Sequence, residues 1–122
     1  MKLLLGIGGT DDSLAALDQT VERAVAAGDD LTVAVLENPD SPRTPEELVE
    51  HVEERLAEAA LDASIRRVEG DPGSRLVELA ESEDFDGIVL GGGERSPMGK
   101  INLGSIAEFV ILNATTSVTL VR

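Results

Sequence analysis

The residues richest in possible chemistry lie together at 86–105, DGIVLGGGERSPMGKINLGS. An apolar run, Ile88 to Leu90, enters three glycines. A polar loop with Arg95, Ser96, Pro97, Gly99 and Lys100 follows, and Gly104-Ser105 opens an apolar segment. Glycine lets the backbone turn sharply and approach a ligand closely. The unpaired N–H groups and the dipole at a helix start favour an anion. Backbone at Gly91, Gly93 and Gly104 and the Ser105 hydroxyl thus form a donor set suited to phosphate, with Arg95 and Lys100 adding positive charge. The stretch predicts a phosphate-bearing ligand, a nucleotide first of all.

Other chemistries find less support. There is one histidine, His51, and there are no cysteines. Nucleophilic catalysis and metal binding both need clusters of such groups, so no catalytic or metal-ligating residue is assigned. The pairs Asp11-Asp12 and Asp29-Asp30 fall where a helix cap and a turn are expected. At most, slow hydrolysis of a bound nucleotide remains open. Gly6-x-Gly8-Gly9 fails as a dinucleotide fingerprint because position 11 is aspartate. Gly93 to Gly99-Lys100 is one residue too long for a phosphate-binding loop of the Walker type, and Ile101 stands where Ser or Thr is needed.

These loops need elements to hold them. KLLLGI (2–7) and LTVAVL (31–36) are continuous apolar runs, as strands buried on both faces require. Between them Leu14, Leu17, Val21, Ala24 and Val25 recur at helical spacing, with Asp11 or Asp12 as cap and Gly28 as stop. ENPDSPRTP (37–45) reads as an exposed loop. Thr44-Pro45-Glu46-Glu47 predicts a capping box, and Leu48, Val52, Leu56 and Ala59 the apolar stripe of the helix behind it. ASIRRVE (63–69) is a more polar strand, suited to an edge. Asp71-Pro72 starts a third helix, DGIVLG a fourth strand and SVTLV (117–121) a fifth. The helix between these two, Ile106 to Leu112, is apolar almost all round and is expected to be heavily buried. Alternating strands and helices predict a single α/β domain over 1–122, a three-layer open parallel five-stranded sheet with helices on both faces.

The spacing at 91–105 resembles the signature of the universal stress protein family, Gly-x2-Gly-x9-Gly-(Ser/Thr). Gly91, Gly104 and Ser105 match it, and Glu94 replaces the second glycine. The resemblance extends over the whole chain in length and element order. It implies a Rossmann-like fold with strand order 3-2-1-4-5, so that the first and fourth strands meet where the order reverses and ligands bind. It also implies a regulatory module holding ATP or a similar nucleotide, with Mg2+ as a possible companion. Gly8 stands where nucleotide-binding members carry an aspartate, with Asp11 or Asp12 as its substitute from a different place, and Val35 and Leu36 match the positions that line the base. The implied nucleotide-binding set is therefore Gly8, Val35, Leu36, Gly91, Gly93, Arg95, Gly104 and Ser105. The alternative is a stress-response dimer that binds no nucleotide and acts through protein interactions. The family resemblance points to a homodimer, and an exposed fifth strand would supply its edge.

Charge sets the surroundings. Acidic residues number 24 and basic ones 10, for a net −14, and Lys2 and Lys100 are the only lysines. No basic patch serves a nucleic-acid backbone. Two phenylalanines are the only aromatics, too few to stack single strands. Scarce lysine with abundant acid predicts a halophilic cytoplasm, where salt screens the self-repulsion. Absent cysteines, and the lack of an apolar run of about 18 residues, agree with a cytoplasmic protein free of membrane. No signal peptide is expected before the first strand.

Overall fold

The computed structural model describes residues 1–95, 101, 102 and 104–121, with the backbone alone at 94, 95, 101 and 102. In chain order the elements are β1 (Lys2–Ile7), α1 (Asp11–Ala27), β2 (Asp30–Leu36), α2 (Pro45–Glu58), β3 (Ser64–Val68) and α3 (Pro72–Ser82). Then come β4 (Gly87–Gly91), β5 (Glu94–Arg95), β6 (Ile101–Asn102), α4 (Ser105–Asn113) and β7 (Ser117–Val121). Five strands form one parallel sheet in the order β3-β2-β1-β4-β7, the predicted 3-2-1-4-5 of the principal strands. The short β5 and β6 pair antiparallel and were not foreseen as strands.

The apolar runs of β1, β2 and β4 are continuous because both faces of the sheet are covered. Side chains alternate across a strand. Leu3, Leu5 and Ile7 of β1 join Ala16, Leu17 and Val21 of α1 and Val52 and Leu56 of α2 on one face. Leu4 joins Leu76 and Ala80 of α3 and Ala107 and Val110 of α4 on the other. On that second face the next position of β1 is Gly6, where a Cβ would stand 2.8 Å from Leu76 Cδ2 and 2.9 Å from Leu90 Cδ2. The missing side chain there lets Leu76 and Leu90 close over the carboxyl end of the sheet.

Most local signals hold. Thr44 and Glu47 make the capping box, Asp71 Oδ2 accepts from Ser74 N–H, and Gly28 ends α1 with φ 72°. Two expectations are corrected. The cap of α1 is Thr10, not Asp11 or Asp12, which are instead the first helical residues, where negative charge meets the positive end of the dipole. The helix after the glycine loop is not heavily buried. Among its side chains Ala107 and Val110 are buried, whereas Phe109, Ile111 and Leu112 are 37%, 43% and 82% exposed. It covers the end of the second face with one narrow stripe, and Gly73 of α3 allows the close approach. A Cβ at Gly73 would lie 2.8 Å from the Phe109 ring.

The amino terminus is pinned to the sheet. Asp29 is buried and takes hydrogen bonds from the Met1 ammonium at 3.2 Å and Arg23 Nε at 3.1 Å. Burial opposes its charge, but these two donors outweigh burial and hold the carboxyl below its usual value. Nearby, Lys2 Nζ sits 4.5 Å from the centre of the Phe85 ring. Among the described residues no helix is long and apolar enough to cross a membrane.

Candidate functional site

Where the strand order reverses, a cavity of about 360 Å3 opens beyond the carboxyl ends of β1, β2 and β4. Its floor is apolar: Gly6, Leu36, Leu90, Ile106 and Ala107. Its mouth is polar, with Thr10, Asp12 and Ser13 from one side, Asn38 and Asp40 from another, and the glycine stretch opposite. An apolar base with a few convergent polar groups is the usual make-up of a small-molecule site.

Six of the eight predicted residues line this cavity: Gly8, Leu36, Gly91, Gly93, Gly104 and Ser105. Val35 is buried in β2 and is not among the lining residues, since its side chain and that of Leu36 leave the strand on opposite faces. The Arg95 side chain, the Glu94 side chain and Lys100 lie outside what is described. Gly104 caps α4 with φ −69° and ψ 159°, and no side chain caps the helix. Among the described residues no side chain accepts from the first amides of α4, which begin at the cavity wall, and Ser105 is exposed beside them.

Of the remaining polar groups, Asn38 was missed and is the most consequential. Its Nδ2 donates to the Gly8 carbonyl at 2.9 Å, and its Oδ1 accepts from Asp40 N–H at 3.1 Å. A Cβ at Gly8 would approach Asn38 Nδ2 to 3.1 Å, so the amide fills space that an aspartate at position 8 would need. An Asn-Pro pair signals a turn, but nothing in its spacing says which strand end the turn folds over. Arg43 reinforces the same closure. Its Nη1 donates to the Gly9 carbonyl at 2.7 Å and its Nη2 to Asp11 at 2.9 Å.

Asp12, a candidate substitute for the aspartate missing at position 8, is turned instead to the glycine stretch. Gly93, at φ 84°, donates its N–H to Asp12 Oδ2 at 3.0 Å, and the Thr10 hydroxyl donates to Oδ1 of the same carboxylate. Gly91 has no side chain because Asp12 lies against it; a Cβ there would meet Oδ2 at 2.5 Å and the Asp12 carbonyl carbon at 2.8 Å. Among the described residues, no group of three or more His, Cys, Asp or Glu side chains stands ready for a metal ion.

The model of the universal stress protein family matches residues 1–122, the whole chain. The chain belongs to that family. A universal stress protein of Methanothermobacter thermautotrophicus is 46% identical over 54 residues, 44% of this chain and 36% of that relative. One from Methanocaldococcus jannaschii is 34% identical over 77 residues, 63% of this chain and 45% of the relative. The matches thus span less than half the length of these curated relatives. Among solved structures, a universal stress protein in complex with cAMP agrees with a TM-score of 0.78 at 29% identity. That likeness covers 100% of this chain and 96% of the other. The universal stress protein fold explains why six predicted site positions reach one cavity although they come from four separate segments.

Proposed function

We propose that this universal stress protein is a regulatory module that holds ATP or a related nucleotide in the cavity between β1, β2, β4 and α4. The observation that carries the reading is the side-chain-uncapped start of α4 opening beside an apolar floor. A base would lie over Leu36, Leu90 and Ile106, with its phosphate at the Gly104 and Ser105 amides, where dipole and free N–H groups favour an anion. The related protein solved with cAMP supports this choice of ligand. Mg2+, where it takes part, arrives with the nucleotide rather than binding a ready cluster of acids. No residue here is placed as a catalytic base, and the proposed place of action is the cytoplasm.

A second reading is a dimer that works through its surface. It is favoured by the sheet edge at β7. The Val121 carbonyl accepts from Gly92 N–H at 2.7 Å, so alternation turns the backbone groups of Val118 and Leu120 to the open side. A homodimer joined along β7 satisfies those groups and is compatible with either reading. Calorimetric titrations with AMP and with ATP in molar KCl, with assay of the purified protein for retained nucleotide, separate the two. Heat of binding supports the first; no heat and no retained nucleotide overturn it. Multiple-turnover release of phosphate would be required to add an enzymatic role.

A further inference from the structure

We infer that Asp12 sets the charge class of the ligand: the cavity takes a nucleoside bearing a single phosphate and rejects its triphosphate. The inference rests on the nucleotide reading above and specifies it. Two features of the polar mouth are suited to phosphate, the α4 start at Gly104-Ser105 and the glycine turn at Gly91–Gly93. The first is open. The second is occupied by the chain itself, because Gly93 N–H is bonded to Asp12 Oδ2 and that oxygen rests over Gly91. A further phosphate reaching for the turn would lose this donor and meet a carboxylate in its place.

The contact is built from several sides. Thr10 donates to the other Asp12 oxygen, the glycine at 91 makes room for the carboxylate, and the left-handed turn at Gly93 aims its amide at it. Asp40 adds a second carboxylate to the mouth. Arg43 is spent on the Gly9 carbonyl and Asp11. Like charges a few ångströms apart repel even in water-like surroundings, and each added phosphate raises that cost.

The test compares AMP and ATP, both free of divalent cation, by calorimetry at moderate salt. The wild type is compared with Asp12→Asn, which keeps an acceptor for Gly93 while removing the charge. Glu53→Gln, on the exposed face of α2, controls for net charge. The wild type should bind AMP more tightly than ATP. Asp12→Asn should tighten ATP about five- to tenfold relative to AMP, the order set by one like charge a few ångströms away in water. Glu53→Gln should leave the ratio unchanged, and circular dichroism confirms that each variant folds. Equal or tighter ATP binding by the wild type, or an unchanged ratio in Asp12→Asn, overturns the inference and leaves nucleotide binding standing. If neither nucleotide binds any folded variant, the nucleotide reading itself falls, and this inference with it.

Discussion

Replacing Gly91 with alanine asks whether the signature glycine serves the fold before any ligand. The added methyl carbon would stand 2.5 Å from Asp12 Oδ2, 2.8 Å from the Asp12 carbonyl carbon and 2.9 Å from its oxygen. The carboxylate can swing aside, at the loss of its bond from Gly93. The carbonyl belongs to the backbone of α1 and moves only if the helix start moves. Overpacking of this kind costs about 1–3 kcal/mol, and the stiffer unfolded chain returns about 0.4–1 kcal/mol. The net loss of about 1–2 kcal/mol should lower the melting temperature by about 4–8 °C in a domain of this size. Gly104→Ala is the contrast, because nothing lies within 4 Å of its Cβ and φ is ordinary at −69°. A poorer cap and a stiffer unfolded chain nearly cancel there, leaving stability within about 1 kcal/mol of wild type. Thermal melts followed by circular dichroism measure both. If Gly91→Ala melts with the wild type, α1 does not pack on β4 as described.

Acid should remove the contribution of Asp29. Its folded-state pKa is lowered, so the stabilisation is complete above the ordinary carboxylate range and fades as pH falls through the folded value. The gap between wild type and Asp29→Asn in denaturant midpoint should be wide at neutral pH and narrow in strong acid; a gap independent of pH contradicts the pairing with Met1 and Arg23. Val118→Pro blocks a backbone N–H on the open edge and should turn a dimer into a monomer by light scattering in high salt, whereas a wild type already monomeric would falsify the β7 interface. With a net charge of −14, the melting temperature should climb as KCl is raised towards molar, where the screening length shrinks to about 3 Å. A flat salt profile would remove the case for adaptation to salt.

The parallel sheet was legible because β1 and β2 are unbroken apolar runs, which only a doubly covered sheet accommodates. Caps at Thr44, Asp71 and Gly28 were legible because they act within four residues. The misreading of α4 has a physical source: composition shows that a helix is apolar but not that its neighbours cover a narrow stripe of it. Ile111 and Leu112 are exposed for that reason. At the site, Gly91, Gly104 and Ser105 could be found from spacing alone. Asn38 could not, since it acts through a partner 30 positions away in the chain, and Asp12 could be named as a candidate but not matched to its partner, 81 positions away. Asp11 and Asp12 look alike in sequence, and only the fold turns one to Arg43 and the other to Gly93.

The most direct test of the central claim is an amide resonance map of the 15N-labelled protein during titration with AMP. Binding in the cavity should shift Gly8, Asn38, Gly93, Gly104 and Ser105 together, with one saturating concentration dependence and little change along α2 or β3. No saturating shift at millimolar AMP, or shifts gathered elsewhere, such as around Val77 and Phe109 between α3 and α4, would contradict the account.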